Sequence, residues 1–146
     1  MKFLTVTLLF FILSGTSTCK GKKEVALKTT EKPKNQTLQK ETFLLVSLNG
    51  NDITSKKLHI TFDEARKAAS GNAGCNSFSC GYTTENETIS FGFARATKMY
   101  CEENHKLEHE FMTSLQQVST KVIQNDSLFL KDSDQNKLFV GIKSMD

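Results

Sequence analysis

The chain has 146 residues, 38% of them hydrophobic and 24% charged, with four cysteines, one proline, no tryptophan and a formal net charge of +3. With its ends set aside, that length holds one core and not two. The positive charge is concentrated at one end, since removing Lys2 and the stretch Lys20 to Lys40 leaves about −3 for residues 41–146, which argues against a nucleic-acid partner.

The first nineteen residues have the layout of an export signal. Lys2 is followed by a nearly unbroken apolar run from Phe3 to Leu13, broken only by Thr5 and Thr7. The run is too short to cross a hydrocarbon core of about 30 Å, so it reads as a signal h-region that is removed. Small and polar residues follow, then Cys19, which stands where a bacterial lipoprotein carries its acylated cysteine. Thr16 and Thr18 replace the usual Leu and the usual Gly, Ala or Ser of such signals, while the Lys-Gly-Lys-Lys run after Cys19 matches them. Cleavage near Gly15 or Thr18, leaving Cys19 a plain thiol, is the alternative. Acylation at Cys19 would anchor the chain to a membrane, at about 0.8 kcal/mol per buried methylene. Residues 1–19 are thus expected to be a lipoprotein-type signal peptide. Residues 20–40, with seven lysines, two glutamates and the only proline, Pro33, are expected to be a disordered tether.

A folded domain is expected over 41–146. Phe43 to Leu48 is an apolar run that ends at Asn49-Gly50, a tight-turn dipeptide, and reads as a buried strand. Leu58, Ile60 and Phe62 alternate with polar neighbours, which is the period of a half-buried strand. Asp63-Glu64 opens a turn, and its acids are placed for solvent. Lys67 to Asn72, Phe78 to Tyr82 and Thr88 to Phe93 read as three further strands. The period then changes: Leu107, Phe111, Leu115 and Val118 mark one face of a helix over about Glu103 to Gln117. Val122-Ile123, Leu128 to Leu130 and Leu138 to Ile142, divided by turns at Asn125-Asp126 and Asp132 to Asn136, supply the closing strands. The fold class is α+β: a small curved antiparallel sheet or partly open barrel, with one helix inserted before the C-terminal strands.

Two short blocks carry a resemblance. Gly74-Cys75-Asn76-Ser77-Phe78 is similar to the Gly-Cys-Asn-x-Phe signature of the META domain family, which includes the HslJ-type heat-inducible bacterial lipoproteins. Thr97-Lys98-Met99-Tyr100-Cys101 is similar to the family's second block, and Glu108 and Phe111 fit the helix that follows it. The chain departs from the pattern in lacking a tryptophan near Phe43 and in placing Cys80 where glycine is usual. The resemblance covers about residues 42–140. It implies a small α+β fold, no enzymatic activity, no cofactor, and an association with envelope integrity and stress response.

Apart from Cys19, three cysteines allow one bridge and leave one thiol over. An exported protein permits such a bridge, and the residues alone leave Cys75–Cys101 and Cys80–Cys101 both open, with buried free thiols as the other reading. The family pattern shares Cys75 and Cys101 and implies that pair. Closing their loop of 26 residues would stabilise by about 3–3.5 kcal/mol on the chain-entropy model.

His105-Lys106-Leu107-Glu108-His109 matches the His-x-x-Glu-His pattern of inverted zinc peptidases. Both histidines flank the helix's apolar face, on the side of water. No third ligand beyond a doubtful His59 can be named, so a solvated helix surface is the better reading and no metal site is assigned. The sequence therefore predicts a non-enzymatic envelope lipoprotein anchored in the outer membrane, facing the periplasm or the cell surface and touching an envelope protein. A carrier of a small apolar ligand is the alternative, with a zinc hydrolase behind it.

Overall fold

The computed structural model describes residues 40–145. The signal segment, Cys19 and the tether up to residue 39 lie outside the described residues. Among those described, no helix is long and apolar enough to cross a membrane.

Ten strands and one α-helix follow in order, with a single 3-10 turn at Thr54–Lys56. They are β1 Lys40–Leu48, β2 Asn51–Asp52, β3 His59–Asp63, β4 Ala68–Asn72, β5 Ser77–Glu85, β6 Thr88–Phe91, β7 Arg95–Ala96, α1 His105–Gln117, β8 Thr120–Gln124, β9 Ser127–Lys131 and β10 Lys137–Lys143. Every pairing is antiparallel. Eight strands run β1-β3-β4-β5-β6-β8-β9-β10, and β10 pairs back onto β1, with Phe43 opposite Lys143 and Leu48 opposite Phe139. The sheet therefore closes into a barrel, which leaves less exposed backbone than a curved open sheet would present. Its weakest seam is β6–β8, joined at the single pair Thr88–Thr120.

Alternation along the strands fills the barrel. Phe78, Cys80 and Tyr82 on β5, and Ile89 and Phe91 on β6, all turn inward and are buried. Phe62 packs edge-on against Phe43 and Tyr82, at centroid distances of 6.2 and 5.6 Å. On β4, Gly71 faces the His59 carbonyl oxygen so closely that any Cβ would collide with it, which requires glycine there.

The strands foreseen from the sequence are present, with four differences. Lys40, expected as the last tether residue, opens β1, its ammonium 4.0 Å from Asp63. The short β2 and β7 carry no periodicity to announce them. β6 stops at Phe91: Gly92 still donates its N–H to the Gly81 carbonyl (2.8 Å), in register with β5, but beyond it the chain leaves the sheet and Phe93 is 85% exposed. On β8 the inward position beside Leu130 is held by Lys121, and Ile123, which with Val122 forms a closing strand in the sequence reading, is 40% exposed.

Candidate functional site

The family-like residues converge at one place, where α1 meets the barrel. The β4–β5 turn is built by Asn72, whose Oδ1 accepts the Gly74 N–H at 2.8 Å, and by Ala73 N–H donating to the Asn76 carbonyl at 2.9 Å. Gly74 has φ +123°, a region that L side chains avoid, so glycine is needed to turn the chain past Leu107 of α1. The turn delivers Cys75 and Asn76 beneath the segment that links β7 to α1.

Asn76 is 4% exposed and spends its whole side-chain amide there. Its Oδ1 accepts from the Thr97 hydroxyl (2.6 Å) and the Met99 N–H (2.8 Å). Its Nδ2 donates to the Met99 carbonyl (3.0 Å) and to both Glu108 carboxylate oxygens (2.9 Å each). A primary amide offers two donor hydrogens and one oxygen with two lone pairs, and all are engaged. Three chain segments are thus tied by one side chain: the β4–β5 turn, the 97–101 segment and the first turns of α1.

A covalent bond doubles this tie. Cys75 and Cys101 form a disulfide with Cα atoms 6.0 Å apart. Cys101 in turn starts α1, since its carbonyl accepts the Asn104 and His105 N–H groups. Deeper in, the Phe111 ring lies 5.0 Å from Phe78 and 5.0 Å from Phe139, so the helix stops the barrel mouth with an aromatic stack. A second fastening, which the sequence did not announce, comes from Asn49 in the tight turn after β1. Its amide donates to Glu110 (2.8 Å) and Ser114 (2.9 Å), and Ser114 is buried.

Of the residues singled out in the sequence, Gly74, Cys75, Asn76, Phe78, Thr97, Cys101, Glu108 and Phe111 all contribute to this junction. Met99 is the exception in kind: it contributes its backbone, while its side chain is 62% exposed. Its side chain could have been any residue as far as the tie is concerned.

The side chains of the His-x-x-Glu-His pattern border one depression, but two of the three are committed to other partners. Both Glu108 oxygens are held by Asn76, and His105 Nδ1 lies 2.7 Å from the Glu102 carbonyl while its ring stacks on Tyr100. No group of three or more metal-capable side chains exists among the described residues. A depression of about 270 Å³ opens beside the tie, lined by Asn76, Met99, Tyr100, Cys101, His105, Glu108, His109 and Met112. It adjoins a more apolar groove of about 520 Å³ between Phe93 and the Met112–Gln116 face of α1.

Cys80 is left unpaired and buried, facing the core between Phe78 and Tyr82. Burial pushes its thiol up to about 11, which makes it a poor nucleophile at neutral pH. Toward the other end of the barrel, the Lys121 ammonium sits 4.6 Å from the Phe62 ring centroid and 2.9 Å from Glu64, which also pairs with Lys67 at 2.7 Å. Lys67, and beyond it Lys121, draw the Glu64 carboxyl down to about 2 against the opposing effect of burial. So the turn acid expected in solvent is bound on both sides. The Tyr82 hydroxyl beside it makes no hydrogen bond of good geometry among the described residues, and burial pushes its ionisation up.

Comparison with known proteins agrees with this architecture. The sequence model of the META domain matches residues 36–143. An NMR structure of a protein from Burkholderia xenovorans is similar in fold, with a TM-score of 0.59 at 19% identity, over 76% of this chain and 86% of that one. A second NMR structure aligns with a TM-score of 0.55 at 24% identity, over 70% of this chain and 88% of that one. No curated protein matches the chain significantly.

Proposed function

The chain belongs to the META domain family, and from that premise we propose that it is a non-enzymatic lipoprotein of the cell envelope. It is exported, cleaved before Cys19 and acylated there, and its barrel serves structural or protein–protein contacts in the envelope or in the stress response.

The observation that carries this reading is the saturation of the family motif. Asn76 and Glu108 are the polar pair that a catalytic account would have to use. Every hydrogen-bonding group of the Asn76 amide is already engaged, and both Glu108 oxygens face it. A general base must reach a substrate proton, and we read the Glu108 carboxylate, aimed at the Asn76 amide, as holding the helix in place instead. The leader supports the address: a lysine, a short apolar run and a cysteine at position 19.

Fractionation of the native host tests the proposal. The wild-type chain should sediment with membranes and carry the mass of acyl chains on Cys19, and Cys19→Ser should release it to the soluble fraction. Retention of the Cys19→Ser chain in the membrane would refute the anchor.

The carrier reading retains one favourable observation, the groove beside Phe93 and Met112. The barrel axis is taken by the rings of Phe43, Phe62, Tyr82 and Phe91, so a small apolar ligand would sit outside the barrel. A lipid co-purifying in native mass spectrometry, and lost with Met112→Asp, would favour it.

A further inference from the structure

We infer that the segment between β6 and α1 is a membrane-contacting surface, with Phe93, Met99 and Tyr100 seated at the headgroup level of an anionic bilayer and Arg95, Lys98 and Lys106 beside them.

Three of the large hydrophobic side chains that stand exposed fall within eight residues of one another. Phe93 is 85% exposed, Met99 62% and Tyr100 82%. Alternation from Ile89 and Phe91 would carry residue 93 into the core, but the chain leaves the sheet beyond Gly92. Met99 and Tyr100 are held outward because Asn76 fixes the Met99 backbone. The display is thus built by the fold's own fastening. The two depressions flanking it share His109 and Met112, so Phe93 on one side and Met99 and Tyr100 on the other border a continuous strip.

Charge and chain length select the occupant. Arg95, Lys98 and Lys106 are all exposed, and none enters an ion pair among the described residues. Glu102 and Glu103, exposed on the turn into α1, and Glu108 in the first depression offset them, so the local balance is close to zero. Apolar insertion therefore supplies most of the attraction and the cations supply the preference for anionic lipid. Aromatic rings interleaved with basic side chains suit the bilayer interface, where one end of each residue is apolar and the other wet. Proximity rests on the Cys19 anchor proposed above. Only residues 20–39 separate that cysteine from β1, and even fully extended they span at most about 70 Å. An anchored domain therefore meets the bilayer at high effective concentration.

The chain has no tryptophan, so Phe93→Trp places a single reporter in the strip. The exported chain carrying Cys19→Ser and Phe93→Trp is titrated with vesicles of phosphatidylcholine alone or with about 30% phosphatidylglycerol. The expected result is a blue-shifted emission, stronger on the anionic vesicles. Adding Met99→Ser and Tyr100→Ser should weaken partitioning about tenfold, and Arg95→Glu with Lys98→Glu should abolish the anionic preference. Emission unchanged at saturating lipid overturns the inference, and so does binding that survives all of these substitutions, since the tether would then be its source. A shift produced by a purified envelope protein but not by vesicles assigns the strip to a protein partner and overturns it too. Because Cys19 is absent from the experiment, its failure leaves the acyl anchor standing, and loss of the anchor leaves a positive vesicle result standing.

Discussion

The amide nitrogen of Asn76 lies 2.9 Å from each carboxylate oxygen of Glu108, thirty-two residues further along the chain. That contact joins a β-turn to a helix and explains why the family motif needs an amide and not an acid at this position. Asn76→Asp would set two carboxylates against each other where residue 76 is buried and Glu108 half-buried. We expect a loss of about 2–4 kcal/mol at neutral pH, from the lost donor and the repulsion together. The loss should shrink as pH falls toward the range where one carboxylate takes a proton. Urea unfolding at pH 7 and pH 4.5 measures both effects.

Reduction of the Cys75–Cys101 bridge should lower stability by about 2–4 kcal/mol without unfolding the barrel. Cys75→Ala with Cys101→Ala should reproduce the effect, and dithiothreitol should then have no further influence on the melting temperature. The barrel survives because its pairings and core are independent of the sulfur atoms.

Cys80 should count as one thiol that hides. With the thiol pushed up to about 11 by burial, native protein is expected to react with iodoacetamide far more slowly than a free cysteine. Denatured, non-reduced protein should show one fast-reacting thiol from this domain. A fast native reaction would place Cys80 outside the core.

Acid sensitivity should map to Glu64. Its carboxyl is depressed in the fold, to about 2 from an ordinary 4.5, so its contribution is complete above pH 4.5. It fades as pH falls toward 2, where the fold loses the advantage of the charged form. The side chain is 35% exposed, so solvent screening limits the contribution to about 1 kcal/mol. Glu64→Gln should therefore flatten the decline of melting temperature across that window, while changing little at pH 7 beyond the lost pairs with Lys67 and Lys121.

Local pattern made much of this legible in the sequence. The alternation of Leu58, Ile60 and Phe62, and of Phe78 to Tyr82, placed strands correctly because side chains on a strand face opposite sides by geometry. The spacing of Leu107, Phe111 and Leu115 placed the helix for the equivalent reason. Closure was not legible: β1 meets β10 across nearly a hundred residues, and periodicity carries no information about which strands pair. Lys121 was unreadable as an inward residue, because its ammonium lies over the Phe62 ring and its charge is met by Glu64 from a distant turn. Phe93 was misplaced by the same alternation that succeeded elsewhere, because the strand ended two residues early. At the junction, the sequence identified the participants through the family motif but not their task. That Asn76, Glu108 and the Met99 backbone form one hydrogen-bonded set depends on three segments meeting, and no spacing along the chain encodes it.

The most direct measurement is amide hydrogen exchange on Asn76→Ala compared with the wild type. With the tie removed, amides of residues 97–104 and of α1 should lose protection by at least tenfold, while β1, β3 and β10 keep theirs. Unchanged protection along α1 would contradict the account, since the helix would then be held to the barrel without the residue assigned to hold it.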